Sequence, residues 1–185
     1  CFCYTIFVSN NNSQAGYKSL TTFVFSTVIY DLTVLFCRDF SVFGRLREQM
    51  TQAARSCKSN IAEGYTFQST ELYLKLLGTA QGSIMELGED FEDFLRQNNL
   101  EIWSKEEGRV GGFRAFRAFW VFPNIPNTPK LPNVPEEAAN MLLTFCQMES
   151  YLLSRQIESL RRKFISDGGF SEKLFKERAE RRRTG

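Results

Sequence analysis

Histidine is absent from the 185-residue chain. That removes the commonest general base and the commonest metal ligand. Ser–His and Cys–His nucleophile pairs are impossible, and so is the Glu-plus-His ligand set of helical di-iron sites. A dominant charge sign is missing too. The 23 Lys and Arg stand against 21 Asp and Glu, a formal net charge of +2. This argues against a dedicated, strongly basic nucleic-acid binder, but a local basic face stays open. Cysteine pairs at useful spacing are lacking. Cys1, Cys3, Cys37, Cys57 and Cys146 are odd in number and widely spread, which does not suit a disulfide framework. Three of them sit in apolar helical patterns and read as buried free thiols of a cytoplasmic protein. Cys1-Phe2-Cys3 has no zinc-type second pair. No convincing membrane span is present. The run from Leu20 to Phe36 is broken by Asp31 and diluted by Thr21, Thr22, Ser26, Thr27 and Thr33. The segment Cys1 to Val8 is short and lacks the basic residues of a signal peptide.

What is present is apolar and aromatic: 43% hydrophobic residues and 18 phenylalanines. Such a chain can bury a real core without disulfides or metals. Residues 1–16 end in a polar, turn-rich stretch and read as disordered or mis-assigned. Residues 17–107 carry three helical patterns. In the first, from about Leu20 to Phe40, Leu20, Phe23, Val24, Val28 and Leu35 follow helical spacing. Ile29, Leu32 and Phe36 add a second apolar face, which predicts cover from another copy of the chain. The second helix, about Arg45 to Glu63, has a narrow stripe of Leu46, Met50, Ala53, Cys57 and Ile61, with Gly64 placed as a C-cap. The third runs from about Thr70 to Gln97 behind a Ser69 N-cap. Its glycines, Gly78, Gly82 and Gly88, predict close helix–helix approach. Residues 108–134 form a Gly/Phe/Arg-rich connector whose prolines then recur every third place, as in an extended strap. Residues 135–185 hold a fourth helix, opened by Pro135-Glu136-Glu137 and closed by Gly168-Gly169, and a charged tail.

Two blocks carry a resemblance. Gln49 to Ser56 leads into Asn60-Ile61-Ala62-Glu63-Gly64, and the third helix holds Ala80-Gln81-Gly82-Ser83-Ile84-Met85-Glu86-Leu87. This resembles the four-helix-bundle family of 23S ribosomal RNA intervening-sequence proteins, which includes the accessory variability determinant of diversity-generating retroelements. Ile29-Tyr30-Asp31, Phe36-Cys37-Arg38, Asp93-Phe94-Leu95-Arg96, Ile102-Trp103 and Gly168-Gly169-Phe170 look like a branch with a C-terminal suffix. The resemblance implies an all-α, antiparallel up-down four-helix bundle, here with an irregular Pro-rich insertion before the last helix. It also implies a bacterial homopentamer, nucleic-acid binding, association with a reverse transcriptase and no enzymatic activity; from the residues themselves no cofactor and no metal are expected.

The candidate sites are basic. Arg45, Arg47, Arg55 and Lys58 form either a phosphate-binding face on the second helix or an ordinary solvated one. Arg109, Arg114, Arg117 and Lys130, interleaved with aromatics, have the composition of a single-strand stacking surface, or of aromatics packed inward with arginines in water. Arg181, Arg182 and Arg183 end a charged helix that is either solvated or in contact with nucleic acid. Asn60, Ile61, Ala62, Glu63, Gly64, Gly82, Ser83 and Glu86 read as structural motif residues, with Asn60 tying the second helix to a neighbour and Glu63 paired to Arg55 or across an interface. Glu86, Glu89, Asp90 and Asp93 lie at helical spacing, but without histidine they make a poor metal or acid site. The expected function is a non-enzymatic oligomer that binds RNA or DNA as an accessory factor. The alternative is an oligomeric scaffold for a protein partner.

Overall fold

A computed structural model describes residues 16–104 and 130–184. Among them the secondary structure is wholly helical: a short 3-10 turn at Tyr17–Ser19, then α1 Thr21–Asp39, α2 Gly44–Thr66, α3 Thr70–Gln97, α4 Pro135–Asp167 and α5 Phe170–Thr184. The starts follow local chemistry. Ser69 Oγ accepts the Leu72 amide at 3.4 Å, relieving one of the unpaired donors at the start of α3. Pro135 opens α4, where its missing N–H is no loss and its ring presets φ. Gly168, at φ 72°, ends α4 in a conformation that a β-carbon would strain.

α1 and α3 each pack against both α2 and α4, so each of the four touches two others. The core between them is built on phenylalanine. Phe36 meets Phe91 at 5.2 Å and Phe94 at 4.9 Å between ring centroids, both edge-on, and Phe25 meets Phe145 at 5.2 Å. Edge-to-face contact sets the electropositive ring edge against the negative face. One apolar face of α1 is buried inside this one chain, while Leu20, Phe23, Val24 and Leu35 of the other are half-buried against the core. Ile29, Leu32 and Phe36 are fully buried. The other helices of the chain therefore cover that face, while Val34 stays exposed. By length and composition α1 could cross a membrane, yet half of that stretch is buried among the other helices.

Two glycine readings are corrected. Gly64 is not a C-cap, because α2 continues to Thr66 and Phe67 ends it in an extended conformation. Gly64 instead marks the closest helix approach: a β-carbon there would lie 2.6 Å from Tyr73 Cδ2 and 3.3 Å from Leu76 Cβ. Gly78 and Gly82 do the reverse of what the sequence suggests. Both are exposed, with nothing within 4 Å of a β-carbon, and only Gly88 meets a neighbour, at 3.7 Å from Cys146 and Leu143.

The segment after α3 is pinned to the start of α4. Buried Asn140 accepts the Trp103 amide at 2.8 Å and donates to the Glu101 carbonyl at 2.8 Å. Leu131 packs on the core just before α4 begins. The connector between these points, residues 105–129, lies outside the described residues, as do residues 1–15.

Gly64→Ala is expected to destabilise the fold by about 1–3 kcal/mol, since a methyl must displace a ring already held by a hydrogen bond. Urea denaturation of both proteins measures it. Gly82→Ala, in open space, is expected to stabilise by about 0.5–1 kcal/mol.

Candidate functional site

The two motif blocks meet across the α2–α3 seam. Asn60 Nδ2 donates to the Ser56 carbonyl at 2.8 Å and to Ser56 Oγ at 3.1 Å. Ser56 Oγ in turn lies 3.0 Å from Ser83 Oγ on α3. Asn60 thus reaches the neighbouring helix through Ser56 rather than directly. Ile61 is fully buried, Ala62 is half-buried and Glu63 is exposed. The ion pairs among the described residues join Arg38 to Asp39, Arg96 to Asp93 and Arg162 to Glu158, and none of them uses Glu63 or Arg55. Glu86 is also exposed. Sequence reasoning missed a second polar tie, in which Gln81 Nε2 donates to Ser154 Oγ at 2.6 Å on α4.

The candidate cations divide. Arg45, Arg47 and Arg55 are exposed on α2, and no ion pair among the described residues uses them. At 3.6 residues per turn Arg47, Arg55 and Lys58 fall within about a quarter turn of one another, with Arg45 about a further quarter turn round. Lys58 is half-buried, its ammonium 4.4 Å from the centroid of the Tyr30 ring on α1. That contact satisfies part of its charge. Arg181, Arg182 and Arg183 are exposed in the last turn of α5. They are reached from the end of the structure where α1 and α3 begin, because Gln156 on α4 bonds both Thr22 and Tyr73. Arg45 and Arg47, at the start of α2, follow the end of α1. The structure therefore does not gather the two basic groups. Arg109, Arg114 and Arg117 lie outside the described residues, while Lys130 is exposed at their edge.

Among the described residues no three Cys, Asp or Glu side chains converge to hold a metal ion. The buried titratable groups are all pushed toward neutrality. Burial raises the Cys37 thiol to about 11 and raises those of Cys57 and Cys146 as well, so they carry little of the thiolate that nucleophilic chemistry requires. Asp90 is raised to about 6 by burial and by the charges of Glu86 and Asp93. Glu149, which the sequence reading passed over, is fully buried in α4, and neither carboxyl oxygen has a hydrogen-bond partner. Burial raises its pKa well above the ordinary 4.5.

This acid should leave a signature in stability. Folded Glu149 keeps a proton that the unfolded chain releases near 4.5, so its contribution is present below that pH and is lost as pH rises. Glu149→Met is expected to raise stability at pH 8 by about 1–3 kcal/mol and by less at pH 4. Thermal melts across that range would show it, and a gain independent of pH would contradict a buried neutral acid.

A search of curated proteins and a search of solved structures find no match to this chain. Residues 20–107, which hold α1, α2, α3 and both motif blocks, match the family described as 23S rRNA-intervening sequence protein.

Proposed function

We propose that the protein is a non-enzymatic, self-associating, antiparallel up-down four-helix bundle that binds RNA or DNA through α2. Paired residues support the topology, because their numbers run in opposite directions along two of the neighbouring pairs, α2 with α3 and α3 with α4. Ser56 meets Ser83 while Gly64 faces Tyr73, and Gln81 meets Ser154 while Gly88 faces Cys146. The connections between α1, α2 and α3 are short, which suits antiparallel neighbours.

The observation that carries the binding reading is the exposed cation face of Arg45, Arg47 and Arg55, inside the segment that matches the family. Side chains of this kind attract phosphate and release its counterions, an effect that grows when copies assemble side by side. The family description names an intervening sequence of 23S rRNA, which makes structured RNA the first ligand to try. A non-enzymatic role is supported by the chemistry at hand: no histidine, buried protonated thiols and buried carboxyls held toward neutrality. Buried free thiols also suit a reducing cytoplasm.

The test is a gel shift with mixed RNA and DNA across a salt series. Affinity is expected to fall steadily with salt, and Arg45→Gln, Arg47→Gln and Arg55→Gln together are expected to weaken it about tenfold or more and to flatten the slope. Absence of binding at low salt, or binding indifferent to salt, would favour the second reading, a scaffold for a protein partner. That reading draws on exposed apolar side chains such as Phe43 and Tyr151.

A further inference from the structure

The end of α4 and the whole of α5 stand apart from the packing that joins the first four helices. Gln156 is level with the starts of α1 and α3, Ile157 and Leu160 still pack on the core, and α4 continues from there to Asp167, an overhang of about 10 Å. Among the described residues α5 packs along none of the other helices. The corner between them is nevertheless built. The Gly169 amide donates to Glu172 Oε2 at 3.0 Å, and a β-carbon at Gly169 would lie 2.9 Å from Phe164 Cε2. The overhang and α5 therefore form an arm of set direction.

The arm exposes more apolar surface than water favours. Ile165 is 73% and Phe175 74% exposed, and Phe170 and Leu174 are exposed as well. Its cations, among them Lys176, Arg178 and Arg182, exceed its acids. A face of opposite character lies on α3. Met85 is 58% exposed there between Glu86 and Glu89, and the bare Gly82 leaves the helix backbone open to approach. Neither Glu86 nor Glu89 takes part in the ion pairs among the described residues. That face runs from Gly82, next to the Gln81–Ser154 contact, to Glu89, next to the Gly88–Cys146 contact, while the arm leaves from beyond Gln156.

We propose that the arm of one copy docks on the α3 face of a second copy, with Phe175 and Ile165 over Met85 and Gly82 and the arginines of α5 against Glu86 and Glu89. The occupant is protein rather than nucleic acid for two reasons. Glu172, Glu177 and Glu180 along α5 would repel a phosphate backbone, and Ile165 and Leu174, exposed on the same arm as Phe170 and Phe175, call for apolar cover rather than stacked bases. The chain itself supplies an apolar centre ringed by the opposite charge. Because the two surfaces differ, the contact is head-to-tail, and such contacts close into rings when the rotation allows. The inference rests on the self-association reading and names its surfaces.

Charge exchange in the full chain tests it by light scattering and sedimentation. Arg178→Glu with Arg182→Glu, or Glu86→Lys with Glu89→Lys, should each weaken association tenfold or more, and combining all four should restore it. Phe175→Ser should weaken it without a change in helix content by circular dichroism, since the side chain touches no core residue. Failure of the combined variant to reassociate overturns the proposal. Association untouched by either reversal also overturns it and leaves self-association standing through another surface. A monomeric parent protein overturns both readings, and association lost on nuclease treatment assigns the arm to nucleic acid instead.

Discussion

Everything at the α5-proximal end of the structure depends on the absence of a side chain at Gly64. The missing β-carbon lets the Tyr73 ring lie against the α2 backbone. From there the Tyr73 hydroxyl accepts Gln156 Nε2 of α4 at 2.8 Å, and Gln156 Oε1 accepts the Thr22 hydroxyl of α1 at 2.7 Å. One close approach thus links all four packed helices in a single chain of contacts. A half-buried polar chain of this kind is fully stabilising only when each member is satisfied, which fixes the relative heights of the helices. Tyr65 and Tyr17 extend the cluster outward through edge contacts with Tyr73 and Phe23.

Much of this was legible in the residues, for identifiable reasons. Helix positions follow from apolar periodicity and from strong punctuation: Ser69, Pro135 and Gly168 each act through local backbone chemistry that needs no tertiary partner. What a glycine faces is a tertiary fact. Gly64 near a helix end looks like a cap, and only the position of Tyr73 makes it a contact. Gly78 and Gly82 look like contacts, and only the missing neighbour makes them surface. The two faces of α1 raise a related point, because periodicity reports that a face must be covered and not which helix covers it. Glu149 was passed over although periodicity places it inside: it stands seven residues after Leu142, three after Cys146 and four before Leu153, on the buried stripe of α4.

The candidate site separates along the same line. The seam joining Asn60, Ser56 and Ser83 could be read from motif spacing, since both blocks sit on neighbouring helices. The fate of each cation could not. Lys58 is drawn onto Tyr30, while Arg45, Arg47 and Arg55 remain in water, and sequence gives all four the same charge. The core supplies contrast. Its titratable groups are held neutral by burial, so the polar work of the molecule is left to its surface.

The clamp at Asn140 has a consequence for how this chain can change. Described backbone leaves α4's first turns at Trp103 and returns to them by way of Leu131, so the connector's two ends are anchored at one place. Both anchors lie at the first turns of α4, so the register of the four packed helices is held by Asn140 and Leu131 themselves and does not depend on the number of residues between Ser104 and Lys130.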